Sequence, residues 1–188
     1  SFALLLGVAP FHTWVPAVAG DSVPLAGTFV LTVGNGAVWF LLLDFLETYP
    51  WLSTHPRFGS LSSIAGLAMV VVGGLLAPAQ RRLGPVVGYG ALVDSGGALI
   101  ALGMHSRLGL TLALLSLLVR PFGLALMATG LSGLRARSGG DDSFEALRGV
   151  GWKAPWSTAA LILGGLSVAG LPASAGFVGR WALYRTLA

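Results

Sequence analysis

Long apolar runs separated by short polar stretches dominate the sequence. Spanning a bilayer takes about 20 apolar residues in a helix, and four runs approach that length, at 22–46, 59–77, 83–104 and 108–131. Shorter runs lie at 156–171 and from Ala173 onward, and a first run ends near Val8. The pattern therefore predicts an all-α, polytopic bundle of about six or seven transmembrane segments, some of them broken helices.

The runs are continuously apolar, whereas the strands of a transmembrane barrel alternate, and this favours helices. A single transmembrane domain is expected over residues 1–188, as a piece of a longer protein, because the chain starts and ends inside apolar runs. The main polar break, 132–155, is expected to form a loop with a short surface helix at its acidic stretch, 141–147, since acidic side chains favour a helix N-terminus.

The loop charges predict an orientation. If the spans alternate, the loop at 80–82 and the loop at 132–155 share one side of the membrane. Together they hold six Lys or Arg, against two in the opposite loops. Positive charge concentrates on cytoplasmic loops, so we expect this side to face the cytoplasm.

Composition excludes several functional classes. The chain is 55% hydrophobic and 10% charged, whereas a soluble domain is about 25% charged. Its net charge of +4 rests on scattered Lys and Arg without a basic stripe, so nucleic acid is not an expected partner. There are no cysteines, and His12, His55 and His105 lack metal-ligand spacing. We therefore expect no metal site and no cofactor, and a soluble-type enzyme is not indicated.

Three polar residues lie near the middle of three different spans: Asn35, Asp94 and Arg120. A charge at the bilayer centre costs about 2.5–3.5 kcal/mol on insertion scales, so Asp94 and Arg120 are expected to face inward and pair. The pair would either fix helix register or belong to a hydrated ion or proton path. Arginine does not release its proton in proteins, which leaves Asp94 as the carrier among the three.

Backbone features accompany these polar groups. Glycines flank Asn35 on both sides and are expected to weaken that helix, and Pro121, directly after Arg120, is expected to kink the helix at 108–131. Three glycine pairs inside the spans are predicted to be helix-packing contacts: Gly73-Gly74, Gly96-Gly97 and Gly164-Gly165.

Three motifs give the chain a resemblance to a known family. Residues 9–16, APFHTWVP, are similar to the APFHxWVP signature of antiporter-like subunits of respiratory complex I, the NADH:quinone oxidoreductase. Residues 80–91 resemble the family's KRLLAYSS helix, and residues 166–181 resemble its LSLAGIPPxAGFxGKW motif. The superfamily also includes Mrp-type cation/proton antiporters and membrane-bound hydrogenase subunits. Within these motifs, His12 and Tyr89 are interpreted as structural polar residues, with His12 bonding backbone groups at the membrane edge.

The resemblance implies a helical core without a redox cofactor, in which protons move along a buried line of Lys, Glu and His. This chain departs from that line. Asn35 stands where the family has a key lysine, Asp94 where many members have His or Gln, and Arg180 where the family has the lysine of a Gly-Lys pair. Ser116 and Arg120 stand where the family has histidines. These five residues are the candidates for a proton or ion path, and the missing lysines predict an impaired one.

The resemblance implies a non-catalytic membrane subunit of an NADH:quinone oxidoreductase-like complex that takes part in proton translocation. Two alternatives stay open: an Mrp-like cation/proton antiporter subunit that uses Asp94, since carboxylates suit hard cations, and a non-conducting structural paralogue. Expected partners are the lipid bilayer, other membrane subunits of a respiratory, hydrogenase or Mrp-type complex, and protons or monovalent cations. The expected location is the bacterial or archaeal cell membrane.

Overall fold

The computed structural model describes residues 1–172, 174 and 176–187, and within them every regular element is helical. A 3₁₀ turn at Phe11–Thr13 precedes the second helix. In chain order the helices are α1 (Phe2–Leu5), α2 (Trp14–Asp21), α3 (Pro24–Thr48), α4 (Pro50–Ser53), α5 (Pro56–Leu76), α6 (Leu83–Gly103), α7 (Arg107–Arg137), α8 (Val150–Lys153), α9 (Pro155–Ala169) and α10 (Phe177–Leu187).

Four of these helices, α3, α5, α6 and α7, are long and apolar enough to cross a membrane. Helix α9 is also apolar but has only 15 residues, and the first predicted segment contributes the short helix α1. The predicted all-α membrane bundle is confirmed. The predicted start of the last segment, Ala173, lies outside the described residues, and α10 begins at Phe177.

Apolar side chains cover the outside of the bundle as well as its core. Trp39 and Met69 are fully buried. Large apolar side chains more than 60% exposed include Phe29, Phe40, Leu61, Leu75 and Phe122. A soluble domain rarely exposes so much contiguous apolar surface, whereas lipid or further membrane helices would cover it without cost.

Helix α3 is continuous through the Gly-Asn-Gly sequence where a weakened helix was predicted. It begins at Pro24, which suits the first helical turn because its missing N–H needs no partner there. The irregularity is instead a π-helical turn at Val30–Gly34, immediately before Asn35. Such turns widen the helix by one residue and change the face on which the following side chains emerge.

The predicted loop at 132–155 starts too early, because α7 continues to Arg137 and passes through Pro121 without ending. The predicted surface helix at 141–147 is also wrong: this stretch forms turns, and the short helix lies at Val150–Lys153. Neither acid acts as a helix cap. The carboxylate of Asp141 accepts the Ser143 N–H at 2.8 Å in a local turn, and Asp142 points inward and is fully buried.

The predicted glycine contacts hold for the first member of each pair. A Cβ on Gly96 would lie 2.6 Å from the carbonyl oxygen of Gly66, and one on Gly164 would lie 2.6 Å from the Met127 nitrogen. Gly73 is similarly close to Val93, whereas Cβ atoms on Gly74 and Gly97 would meet nothing within 4 Å. Close approach of α5 to α6 and of α7 to α9 therefore depends on one glycine of each pair.

The loops at 80–82 and 138–149 lie together at one end of the bundle. The Leu83 N–H donates to the Asp142 carbonyl at 3.0 Å, and the Phe144 N–H donates to the Arg81 carbonyl at 3.1 Å. These bonds place the two loops on one side, as the alternation of spans requires. That this side faces the cytoplasm stays a prediction.

Candidate functional site

Four of the five candidate path residues meet inside the bundle. Asp94 lies in the middle of α6, Arg120 in the middle of α7, Arg180 on α10, and Asn35 on α3 just after the π turn. We call these four residues the membrane cluster. Each comes from a different helix, so the cluster exists only when the bundle is assembled.

Asp94 stands between two arginines. Its Oδ1 lies 3.3 Å from Nη2 of Arg180, and its Oδ2 lies 3.9 Å from Nε of Arg120. The side chains are 15% exposed for Asp94, 4% for Arg120 and 19% for Arg180. The predicted inward-facing pair of Asp94 and Arg120 is therefore present, although the closer partner of Asp94 is Arg180.

Arg120 is oriented by a neutral partner rather than by its counter-ion. Its Nη1 donates a buried hydrogen bond of 3.0 Å to Oδ1 of Asn35. Its Nε is buried and has no hydrogen-bond partner among the described residues, because the 3.9 Å separation from Asp94 is too long for one. The Arg120–Asp94 interaction is thus a charge pair without a hydrogen bond.

A cavity of about 280 Å³ adjoins the cluster. Asp94, Arg120 and Arg180 form its polar wall, and most of the remaining lining is apolar, including Leu112 and Leu115. Ser116 also lines the cavity, but its hydroxyl donates to the Ala113 carbonyl on its own helix at 2.8 Å. Ser116 is therefore at the site without contacting the charged groups.

The membrane cluster carries an excess of positive charge. It contains two guanidinium groups and one carboxylate, and among the described residues Asp94 is the one acidic side chain that lines the cavity. Arginine stays charged in proteins, so the local charge is at least +1 in either protonation state of Asp94. An isolated charge in an apolar interior is expensive, so this excess charge requires water or a further partner to compensate it.

The two structural polar candidates lie away from the cavity. Tyr89 is 8% exposed and belongs to the hydrophobic core of the bundle. His12 lies in the 3₁₀ turn, and its Nδ1 is buried with no hydrogen-bond partner in the described part of the chain. The predicted backbone bonding of His12 is therefore not made by this nitrogen.

A second cluster, which the sequence analysis missed, lies at the end of the bundle where the loops meet. Asp142 is fully buried between two arginines, with Arg82 Nε 2.7 Å from Oδ1 and Arg135 Nη2 2.6 Å from Oδ2. The Gly84 N–H adds a hydrogen bond of 2.9 Å to Oδ2. We call Asp142, Arg82 and Arg135 the loop clamp.

The loop clamp fastens three helix ends together. Arg82 and Arg135 donate to the carbonyl of Gly20 at 3.0 and 2.7 Å, at the C-terminus of α2. Arg135 also donates to the Ser22 carbonyl, and Arg82 reaches Asp21. Cations near a helix C-terminus satisfy its free carbonyls and its dipole. The clamp therefore joins the end of α2, the start of α6 and the end of α7.

The surroundings of Asp142 change its proton affinity. Burial by itself would raise the pKa of this carboxyl, but hydrogen bonds from Arg135, Arg82 and the Gly84 N–H outweigh burial and hold the pKa below its usual value. The signal in the sequence was weak: arginines at two helix ends that share a side of the membrane, with an Asp-Asp pair in the loop that follows the second of these helices. Nothing in the spacing distinguishes Asp142 from exposed Asp141.

No group of three His, Asp or Glu side chains suited to a metal ion occurs in the part of the chain that the structure describes. The membrane cluster offers charge stabilisation by its guanidinium groups and proton binding at one carboxylate.

The sequence matches a known family model over residues 1–187, described as NADH:quinone oxidoreductase/Mrp antiporter, transmembrane. NADH-quinone oxidoreductase subunit N of Chromohalobacter salexigens is 34% identical over 183 residues, which is 94% of this chain and 37% of that protein. The corresponding subunit of Ectopseudomonas mendocina is 33% identical over 194 residues, covering 95% of this chain and 36% of that protein.

A hydrogenase-complex protein is also similar. Formate hydrogenlyase subunit 3 of Escherichia coli is 30% identical over 198 residues, covering 98% of this chain and 32% of that protein. The chain thus spans roughly a third of the length of these curated relatives. Together with the four membrane-crossing helices, the family match shows an integral protein of the bacterial inner membrane that belongs to the NADH:quinone oxidoreductase/Mrp antiporter transmembrane family.

Proposed function

We propose that this chain is part of a proton-translocating membrane subunit of an NADH:quinone oxidoreductase-like complex, and that Asp94 is its proton-binding group. The observation that carries the proposal is the position of the Asp94 carboxylate, which is 15% exposed and lies between two guanidinium groups at the wall of a cavity. A membrane-buried ionisable residue is costly and is a functional candidate by default. Its expected partners are other membrane subunits of a respiratory or hydrogenase complex.

The cavity gives Asp94 access to water. Its volume of about 280 Å³ exceeds the share of one liquid water, roughly 30 Å³. The charged wall supplies the polar partners that a buried water needs, whereas a purely apolar cavity of this kind stays dry. Water held there could bring a proton to the carboxylate or take one away, while the two arginines stay charged.

The charge of the cluster weighs against the Mrp-like alternative. Both carboxylate oxygens of Asp94 face guanidinium groups, so a metal cation bound there would be a third positive charge beside Arg120 and Arg180. Hard cations also need several oxygen ligands, and Asp94 is the one carboxylate at the cavity. Binding a proton adds the same charge but requires one oxygen and no coordination shell.

The test is proton flux into proteoliposomes that carry the full-length subunit with its partner subunits, driven by NADH oxidation and followed with a pH-sensitive dye. We expect Asp94→Asn, which keeps the shape but cannot exchange a proton, to abolish the flux that depends on this subunit. Asp44→Asn is the matched control, because Asp44 is an exposed carboxylate on α3. Retained flux in Asp94→Asn contradicts Asp94 as carrier. If substitution of all the candidate path residues leaves proton flux unchanged, the result would favour the non-conducting structural paralogue.

A further inference from the structure

We infer that Arg180 is the residue that restricts the Asp94 site to protons, by occupying the approach through which a metal cation would reach the carboxylate. The inference rests on the proposed function, since it concerns the selectivity of the same site. It assigns different roles to the two arginines, which the structure holds in different ways.

Arg120 is the fixed member of the pair. Its side chain is 4% exposed, it lies within the 31-residue helix α7, and Asn35 holds its guanidinium through a buried hydrogen bond of 3.0 Å. It stays 3.9 Å from Asp94. Because Asn35 holds its Nη1 and no hydrogen bond joins its Nε to Asp94, Arg120 contributes a constant field and does not engage the carboxylate directly.

Arg180 is held more weakly and lies closer. Its side chain is 19% exposed, and its two hydrogen bonds, to Asp94 Oδ1 and to the Ala169 carbonyl, are long at 3.3 and 3.4 Å. It belongs to the 11-residue helix α10. Of the two guanidinium groups, this one directly contacts the carboxylate.

Because Gly170 has no side chain, it leaves room for the Arg180 side chain to reach Asp94. This glycine ends α9 in the left-handed conformation, with φ of +69°. A Cβ at this position would lie 2.3 Å from Cδ and 3.2 Å from Nε of Arg180. The arginine stem therefore lies directly against the backbone of the turn, and any side chain on residue 170 would displace it.

Removing the Arg180 charge changes what the carboxylate can bind. Two unit charges at about 4 Å interact strongly enough at an effective dielectric constant near 20 to change a binding constant by roughly 1,000-fold. With Arg180 neutralised, Asp94 and Arg120 together have no net charge, and Oδ1 is free to coordinate a cation. With Arg180 in place, Na⁺ meets a net positive site whose near oxygen is already engaged.

The experiment measures Na⁺ at the carboxyl group directly. Dicyclohexylcarbodiimide enters membranes and labels carboxyl groups in apolar surroundings, and a bound cation protects them. The full-length subunit in its complex is labelled over a series of NaCl concentrations at constant ionic strength set with choline chloride. Mass spectrometry then gives the labelling rate of the peptide that contains Asp94.

In the native protein we expect a labelling rate that does not depend on Na⁺. In Arg180→Gln we expect protection, with half protection at a Na⁺ concentration roughly 100-fold or more below the highest one that leaves the native protein unprotected. Arg180→Lys, which keeps the charge, should restore Na⁺-independent labelling. Gly170→Ala, which keeps every charge but displaces the Arg180 stem, should give intermediate protection and serves as the second variant if Arg180→Gln does not fold.

Arg185→Gln is the matched control, because Arg185 is exposed on the same helix and should leave labelling independent of Na⁺. Protection of the native protein by Na⁺, or none in both Arg180→Gln and Gly170→Ala, overturns the inference. The readout separates this result from the proposed function: loss of flux in Asp94→Asn tests the carrier, whereas Na⁺ protection tests selectivity even where no flux is measured.

Discussion

Two clusters in this molecule each contain a carboxylate between two arginines. They differ in how completely the carboxylate oxygens are hydrogen-bonded. In the loop clamp, Asp142 has nitrogen partners at 2.6, 2.7 and 2.9 Å, two from guanidinium groups and one from the backbone. In the membrane cluster, the guanidinium nitrogens lie 3.3 and 3.9 Å from Asp94. The same three charges therefore make a tight junction in one place and a loose one in the other.

The difference reflects what each cluster adjoins. The clamp also caps the C-terminus of α2, so any movement breaks several bonds at once. Each cluster leaves one buried guanidinium Nε without a hydrogen-bond partner among the described residues, Arg135 in the clamp and Arg120 in the membrane cluster, so the contrast lies in the carboxylates. Asp142 accepts three short hydrogen bonds, whereas Asp94 accepts one long hydrogen bond, from Arg180, and borders a cavity. A well-bonded buried polar group rigidifies a structure, whereas a poorly bonded one has alternatives of similar energy. The clamp is therefore suited to holding helices together. The membrane cluster is suited to changing its hydrogen bonds and the protonation state of Asp94.

The largest expected effect is loss of the clamp. Asp142→Asn leaves two arginines facing a neutral group, and removing one partner of a buried ion pair costs about 3–5 kcal/mol. We expect that decrease in the free energy of unfolding, measured by denaturant titration of the purified full-length protein. Asp141→Asn is the neighbouring control. Its carboxylate is exposed and, among the described residues, bonds Ser143 in a local turn, so its substitution should cost much less than that of Asp142. Equal decreases in the free energy of unfolding for the two variants would contradict a stabilising role of the clamp.

The membrane cluster should respond less, and in an order set by its charge balance. Asp94→Leu leaves Arg120 and Arg180 together without a carboxylate, and we expect a smaller loss than for Asp142→Asn because these partners are farther from the carboxylate and partly exposed. Arg120→Leu should cost less, because Asp94 keeps Arg180 as its closer partner.

The double variant, Asp94→Leu with Arg120→Leu, tests this order by a thermodynamic cycle. It should be more stable than Asp94→Leu alone, because one of the two unpaired guanidinium groups is gone. Thermal unfolding of the three variants in one detergent gives the ranking. A larger loss for Arg120→Leu than for Asp94→Leu would mean that Arg120 is structural and that the excess charge is already neutralised.

The sequence predicted the membrane cluster better than the clamp, and the reason is physical. Asp94 and Arg120 are conspicuous in the sequence because a charged residue inside an apolar span has a high free-energy cost. That cost alone was sufficient to predict that the two residues pair. Asp142 lies in a polar loop where charge costs little, and its burial depends on arginines 60 and 7 residues away. Hydropathy carries no information about such tertiary contacts.

The helix boundaries also depend on tertiary contacts that hydropathy does not predict. The spans were predictable because length and apolarity define them, whereas α7 extends past its apolar stretch to Arg137 because Arg135 reaches the clamp. The π turn before Asn35 was also missed: Gly-Asn-Gly pointed to the region, but the irregularity lies over Val30–Gly34. Asn35 is positioned by its bond to Arg120, which no local pattern reveals.

The smallest expected effect is the pH dependence of the clamp. The pKa of Asp142 is lowered in the folded protein against about 3.9 for an unfolded chain. A carboxyl whose pKa falls on folding stabilises the protein fully above its unfolded value, and the contribution is lost as the pH falls through the folded value. The difference in Tm between native protein and Asp142→Asn should therefore be constant near neutral pH and narrow below about pH 4. Other carboxyl groups, including Asp141 with its own lowered pKa, titrate in both proteins, so the difference isolates Asp142. A difference that stays constant into the acid range would mean that the clamp does not depend on the charge of this carboxylate.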